Sequence, residues 1–221
     1  MAAKGFFTDT TLCIGCKACE VACKQLPEDG FRFTGMSYDN TARLGASTWR
    51  HVAFIERPVP LETQDAGAFS WLFSSDVCKH CARAGCLESC PTGAIIRTEF
   101  DSIYVQPDVC NGCGYCVVNC PFGVIDRRED DGRAWKCTLC YDRLREGMTP
   151  ACAKACPTES IKFGDVSTLR AEAQQRVEDL HAKGMHQAYL CGEKCREPAG
   201  NGRIKRVFSS GRQAGGLQSA A

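Results

Sequence analysis

The sequence lacks any apolar run long enough to cross a bilayer. The best candidates, residues 68–73 and 116–125, fall well short of the roughly 18 residues a span requires. No transmembrane segment is expected. No secretory leader is expected either, because residues 1–7 are short and run straight into a polar stretch. There is no Ser–His–Asp set, phosphate-binding glycine loop or dinucleotide fingerprint; Gly112-Cys113-Gly114 lies between cysteines and does not open a G-x-G-x-x-G. The chain therefore has no evident catalytic pocket of its own. With a net charge of +1 over 221 residues, it is no polycation of the kind nucleic acid attracts.

Cysteine, by contrast, is abundant: 18 residues, near the range of disulfide scaffolds. Disulfides, zinc and iron–sulfur clusters compete as explanations, and spacing separates them. Sixteen cysteines form four tight groups. They are Cys13, Cys16, Cys19 and Cys23; Cys78, Cys81, Cys86 and Cys90; Cys110, Cys113, Cys116 and Cys120; and Cys137, Cys140, Cys152 and Cys156. The first and third have the C-x2-C-x2-C-x3-C spacing of bacterial two-cluster ferredoxins. A cysteine at every third residue lets a short loop touch three corners of one cuboid cluster, and the fourth cysteine turns away to a neighbouring cluster. The other two groups differ only in longer loops between ligands. Zinc sites use paired cysteines across a longer spacer, without a third at the same step. A zinc-stabilised interaction scaffold is the contender from another class. Loaded with four [4Fe–4S] clusters, the protein would carry a charge of roughly −7.

An internal repeat supports clusters. Cys90-Pro91-Thr92-Gly93-Ala94-Ile95, Cys120-Pro121-Phe122-Gly123-Val124-Ile125 and Cys156-Pro157-Thr158-Glu159-Ser160-Ile161 each read as Cys-Pro, a turn, then an apolar residue opening a strand. Four such halves predict an α+β fold of two ferredoxin-like two-cluster units. The second and third motifs lie close in sequence and should pair, leaving the first and fourth to pair across them. The inner unit (76–132) is then inserted in a discontinuous outer unit (1–30 and 133–165). Ligand exchange gives Cys13, Cys16, Cys19 and Cys156 to cluster 1 and Cys78, Cys81, Cys86 and Cys120 to cluster 2. Cys90, Cys110, Cys113 and Cys116 go to cluster 3, and Cys23, Cys137, Cys140 and Cys152 to cluster 4. The rival scheme pairs first with second and third with fourth. Cys191 and Cys195 belong to no four-ligand set and are read as free thiols or a local pair. His80 is expected to stay outside the ligand set, donating a hydrogen bond or facing solvent. Lys79, Lys136 and Arg143 flank cluster loops as mostly solvated charges, some able to tune potential.

Between the first two motifs, residues 31–75 form a cysteine-free aromatic insert with Phe31, Phe33, Tyr38, Trp49, Phe54, Phe69, Trp71 and Phe73. Trp49-Arg50-His51-Val52-Ala53-Phe54-Ile55 reads as a half-buried strand ending at Pro58, and residues 62–68 as a polar loop. The aromatics suit a dry shell around clusters or a docking face. Residues 166–190 form a helical segment: an amphipathic helix over 166–183 with Leu169, Ala173, Val177 and Leu180 on one face, Ser167 as N-cap and Gly184 as C-cap. Residues 191–221, Gly- and Ser-rich with Arg203, Lys205, Arg206 and Arg212 unopposed by acid after Pro198, are expected to be a disordered tail.

The chain resembles the four-cluster iron–sulfur subunits of molybdopterin oxidoreductases, and more narrowly the beta subunits of formate dehydrogenase. The resemblance covers about residues 8–190. It is carried by Cys13-Ile14-Gly15-Cys16-Lys17-Ala18-Cys19, Tyr38-Asp39-Asn40, Trp71-Leu72, Cys110-Asn111-Gly112-Cys113-Gly114-Tyr115-Cys116, Lys136-Cys137-Thr138-Leu139-Cys140 and Gln175-Arg176-Val177. It implies a non-catalytic electron-transfer subunit serving a molybdenum or tungsten catalytic subunit. The acceptor would be an integral membrane quinone-reactive or cytochrome subunit, or a soluble acceptor. It also implies that the outer unit faces the catalytic subunit and the Cys110 cluster lies at the exit. A sulfoxide, polysulfide or nitrite reductase type is the alternative within the class. Relatives work in membrane-associated complexes or in the cytoplasm, some exported on a partner's signal, and some end in an anchor helix that this sequence does not carry. Iron and sulfide analysis of anaerobically purified protein should find about sixteen iron atoms per polypeptide; a value near eight at full occupancy would contradict four clusters.

Overall fold

The computed structural model describes residues 2–24, 44–58, 69–186, 188–191 and 206–209. In chain order its elements are β1 (Lys4–Thr8), α1 (Ala18–Lys24), β2 (Arg50–Pro58), β3 (Phe69–Val77), α2 (Gly85–Glu88), β4 (Ile95–Arg97), β5 (Ile103–Val105) and α3 (Tyr115–Val118). There follow β6 (Asp126–Arg127), β7 (Ala134–Trp135), α4 (Tyr141–Arg145), α5 (Ala151–Lys154), β8 (Ile161–Asp165), α6 (Val166–Ala182), β9 (Ala188–Cys191) and β10 (Arg206–Ser209). The strands form two-stranded antiparallel sheets: β1 with β8, β2 with β3, β4 with β5, β6 with β7 and β9 with β10. Apart from α6, β2 and β3, these helices and strands are too short to bury much apolar surface alone.

Each Cys-Pro repeat leads into a strand: β4, β6 or β8. The strand before the first cysteine motif, β1, pairs with the strand after the fourth, β8, placing Phe6 opposite Phe163. Helix α1 packs on α5, whereas α2 packs on α3. Where α2 meets the α3 end, a Cβ on Gly85 would lie 2.6 Å from the Asn119 carbonyl, so only glycine fits that approach. Ala84, Ile95, Ile103, Val105, Ile125 and Ala134 form one small core beneath these elements. A second, of Phe7, Leu169, Ala173, Leu180 and Ala188, joins α6 to β1. Arg50 to Pro58 is a strand that ends where the proline requires, although Arg50, His51 and Val52 are all buried and break the expected alternation. Its pairing with β3 brings Phe54 and Phe73 into an edge-to-face contact at 4.9 Å.

Two helix expectations separate. Gly184 ends α6 as anticipated: at φ +84 it lets its own N–H bond to His181 and the Met185 N–H bond back to Leu180, the paired closure that glycine favours. The start differs. Asp165, not Ser167, is the N-cap, and its side chain makes no cap bond. Strand β8 runs directly into the helix, the Val166 N–H bonds to the Ala3 carbonyl at 2.9 Å, and Asp165 pairs with Lys4 at 2.9 Å. The chain's first residues thus do the work of the cap. The expected disordered tail also needs correction over Arg206–Ser209, which pair with β9 in a register opposing Arg206 to Cys191. Phe31, Phe33, Tyr38, residues 62–68, Cys195, Arg203, Lys205 and Arg212 lie outside the described residues.

Asp9 joins these parts. Nearly fully buried, it accepts from Arg176 Nε at 2.7 Å, from the Thr11 N–H at 2.9 Å and from the Thr11 hydroxyl at 2.6 Å. Its carbonyl accepts from the Ser160 hydroxyl at 2.7 Å. The loop to Cys13 is thereby tied to α6 and to the fourth motif. Asp9→Asn should cost about 2 kcal/mol, measured by anaerobic urea unfolding, because charge-assisted bonds are lost.

Candidate metal centres

Left-handed backbone steps curl each cysteine loop: Gly15 and Lys17 in the first, His80 in the second, Gly112 and Gly114 in the third, Leu139 and Cys140 in the fourth. Non-glycine residues adopt this conformation only where surroundings enforce it. At Gly15, φ is +68 and a Cβ would lie 2.6 Å from the Phe73 ring, so the loop lies flat against an aromatic of β3. Lys17 in turn sits over the Phe54 ring at 5.2 Å.

The curled loops gather sulfur. Cys13, Cys16, Cys19 and Cys156 line one hollow of about 300 Å³, with Val52, Ser75, Ser160 and Ile161 in its wall. Cys90, Cys110, Cys113 and Cys116 line another of about 280 Å³, walled by Ala94, Ile95 and Ala134. The remaining eight cysteines also neighbour one another. Cys86 has Cys78, Cys120 and Cys81 as its thiol neighbours. Cys23 has Cys152, Cys140 and Cys19, and Cys137 has Cys23, Cys78 and Cys140, so these neighbourhoods adjoin one another. Cys191 is buried at the end of β9, apart from both lined hollows.

Burial pushes Cys23 and Cys86 up to about 12, and Cys19 and Cys116 up to about 11, with neighbouring thiolates adding to the effect. Cys137, fully buried, is raised well above the ordinary thiol value, again mainly by burial. Cys90 goes the other way. Burial would raise it, but hydrogen bonds from the Thr92 hydroxyl and from the backbone of Ile95, Ala94 and Thr92 outweigh that and draw it down. Dry, sulfur-lined hollows disfavour thiolates until a cation neutralises them.

Hydrogen-bond donors aim at the sulfurs as well. Ser75 Oγ lies 3.7 Å from Cys19 Sγ, and the Ala134 and Leu139 N–H groups donate to Cys110 and Cys137 at 3.4 Å. Thr92 and Thr158 place their hydroxyls 3.6 and 3.8 Å from Cys90 and Cys156, the same offset in two Cys-Pro-Thr repeats. That signal is present in the repeat, but the sequence pattern alone does not disclose its chemistry.

The donor set fits iron–sulfur clusters: four thiols around each of the two hollows, soft ligands, apolar walls and N–H or O–H groups toward sulfur. Among the described residues, no three His, Cys, Asp or Glu side chains converge closely enough to hold a single metal ion. A tetrahedral zinc site would draw its sulfurs to within about 4 Å of one another. Here they ring a hollow instead.

The flanking residues depart from expectation. His80 is buried and its Nδ1 accepts from the Ile103 N–H at 3.1 Å, because its left-handed backbone turns the ring inward rather than to solvent. Lys136 is not a solvated charge. It is 2% exposed and donates to the carbonyls of Ile103 at 2.5 Å and Cys137 at 3.0 Å. Lys79 pairs with Asp76, and Arg143 donates to the Thr149 carbonyl at 3.0 Å. Sequence reasoning missed Arg50, which is 1% exposed among four of the cysteines.

Two regions of the sequence match families of 4Fe-4S dicluster domain, over residues 12–94 and 69–166. The nitrate-inducible formate dehydrogenase iron–sulfur subunit of Escherichia coli K12 is 41% identical over 184 residues, covering 81% of this chain and 60% of that protein. The formate dehydrogenase iron–sulfur subunit of Haemophilus influenzae is 39% identical, covering 82% of this chain and 58% of that one. The B subunit of the anaerobic dimethyl sulfoxide reductase of Escherichia coli K12 is 34% identical, with 75% of each polypeptide covered. The present sequence thus spans about three fifths of the length of these formate dehydrogenase relatives.

Gly15→Val should remove one cluster, leaving about twelve of sixteen iron atoms, since a branched side chain must displace Phe73 from a loop holding three ligands. Gly93→Ala, with φ +68 but nothing within 4 Å of the added carbon, should keep full iron and lose about 1 kcal/mol of stability.

Proposed function

Because this protein belongs to the family of 4Fe-4S iron–sulfur subunits that includes those of formate dehydrogenase and dimethyl sulfoxide reductase, we propose that it carries electrons between a molybdopterin catalytic subunit and a downstream acceptor. The acceptor is a membrane quinone-linked subunit or a soluble carrier. No described helix is long and apolar enough to cross a membrane. The polypeptide is itself non-catalytic, and formate is the first choice of substrate for its partner. Clusters of the [4Fe–4S] type supply one-electron reduction and reoxidation without proton transfer. The residues of this protein hold them, space them and keep water away.

The observation that carries this reading is the pair of hollows each lined by four cysteines, with the other cysteines of the four motifs close together. On it we assign Cys13, Cys16, Cys19 and Cys156 to one cluster, and Cys78, Cys81, Cys86 and Cys120 to a second. Cys90, Cys110, Cys113 and Cys116 hold the third, and Cys23, Cys137, Cys140 and Cys152 the fourth. The lining of the two hollows supports the first and third sets. The pairing of β1 with β8, of α1 with α5 and of α2 with α3 supports an inner unit inserted in a discontinuous outer one. Sequential pairing would require α1 to face α2 instead.

Docking faces follow from exposure. Cys16 is exposed beside Ile14 and Val21, and Cys113 beside Tyr115 and Val118, all four apolar side chains more than half exposed. We assign the first face to the catalytic subunit and the second to the acceptor. The sulfoxide reading keeps one observation in its favour: the match covers 75% of the sulfoxide reductase subunit against 60% of the formate dehydrogenase one. Identity, at 41% against 34%, favours formate.

The experiment is anaerobic purification of the complex with its large partner, followed by formate. Formate should bleach the broad absorbance near about 400 nm and elicit reduced-cluster EPR signals. If only dithionite reduces the complex, and a sulfoxide then reoxidises it, the formate assignment falls and the sulfoxide one stands. Cys156→Ser should alter the same EPR signal as Cys13→Ser; altering the signal that Cys110→Ser alters would break the nested assignment.

A further inference from the structure

Arg50 opens β2, opposite Val77 and hence one residue from Cys78 on the neighbouring strand. It is 1% exposed. Its Nη1 donates to Ser75 Oγ at 2.8 Å, and Ser75 Oγ in turn lies 3.7 Å from Cys19 Sγ. The guanidinium also sits over the Phe6 ring at 4.9 Å. Nε and Nη2 are buried and have no hydrogen-bond partner. Among the described residues no carboxylate pairs with this cation.

A guanidinium keeps its proton in proteins, so this side chain cannot escape burial by becoming neutral. An unpaired buried charge is strongly destabilising unless an anion joins it. The neighbours of Arg50 that can carry negative charge, once ligated as thiolates, are Cys152, Cys19, Cys137 and Cys23. These four sulfurs are not one ligand set. Cys19 belongs to the first assigned cluster, and Cys23, Cys137 and Cys152 to the fourth. Lys136 contrasts with it, because two carbonyls already accept from its ammonium group.

The geometry points to Arg50 as the shared counter-cation of the two outer-unit clusters, with its free Nε–H and Nη2–H groups reserved for the anionic centres that these cysteines hold. The inference rests on the ligand sets proposed above. Reduction adds one negative charge to a cluster, and a fixed cation in a dry setting favours that charge. Arg50 therefore raises the reduction potential of both centres together. Of the inner-unit ligands, Cys78 follows Val77, the strand partner of Arg50, so the second cluster is the nearer of the two inner ones and should feel the cation less than the outer pair. A purely structural role for Arg50 would leave every potential where it was.

The test compares Arg50→Gln and Arg50→Lys with wild type in the full-length protein, purified with its partner. Iron is counted, and each cluster is followed by EPR-monitored redox titration. With Gln, iron should stay at about sixteen atoms and two of four midpoint potentials should fall. Each fall should amount to at least a tenfold loss in the reduction equilibrium, about 59 mV for one electron. The other two should fall by less than that margin, and Lys should keep all four within it. Four unchanged potentials in a fully loaded Gln variant, or four that fall alike, would overturn the inference. If the Gln variant does not load its outer sites, the Lys variant decides. Loading with near wild-type potentials supports a need for charge, and failure like that of Gln, or loading with lowered potentials, overturns it. A wild-type count near eight iron atoms would instead bring down the four-cluster reading, and the inference with it.

Discussion

Everything in this fold answers to the burial of sulfur that must become negative. Cys19, Cys23, Cys78, Cys116, Cys137 and Cys152 are all buried, and most of their group partners are half-buried. Taking one charge out of water costs on the order of several kcal/mol even after relaxation. A protein that gathers such ligands needs compensation beside them: iron between the sulfurs, N–H and O–H groups around them, and fixed cations nearby.

The secondary structure is small because it serves as bracing. Strands of two or three residues and helices of four cannot form an ordinary core, and the apolar clusters run through the cysteines themselves. Cys116 sits in one core with Ile103, Val105 and Ile125, and Cys19 and Cys152 in another with Val52 and Ile161. Clusters and side chains therefore form one packed interior. Losing a cluster would open a hollow as well as a charge imbalance. The glycines at the loops follow from the same crowding, with Gly15 against Phe73 and Gly112 against the Gly132 carbonyl.

Charge is distributed with purpose. A net charge of +1 conceals, among the described residues, the buried cations Arg50 and Lys136, beside thiols that turn negative on metal binding. Thr92, Thr158 and Ser75 add neutral donors at sulfur. Such groups favour the more negative state of a centre, so they act on reduction potential as well as on stability. The exposed faces at Cys16 and Cys113 carry apolar rather than charged side chains, which suits contact with partners more than open solvent.

The cysteine motifs determined the cofactor class by themselves, because ligand spacing is local: a loop of three-residue steps and a Cys-Pro turn act within ten residues. The strands after each Cys-Pro and the glycine end of α6 were legible for the same reason. Only the tertiary structure decided the rest, since those features join residues far apart in sequence. Arg50 reads as one position in an alternating strand until Ser75 and four cysteines surround it. His80 looks exposed until the Ile103 N–H closes on it, and Ser167 looks like a helix cap until Ala3 supplies an acceptor. Asp9 holds Arg176 across more than 160 residues of sequence. No local pattern encodes those partners; they come from packing, which brings distant groups together only once the sulfur-lined interior has formed.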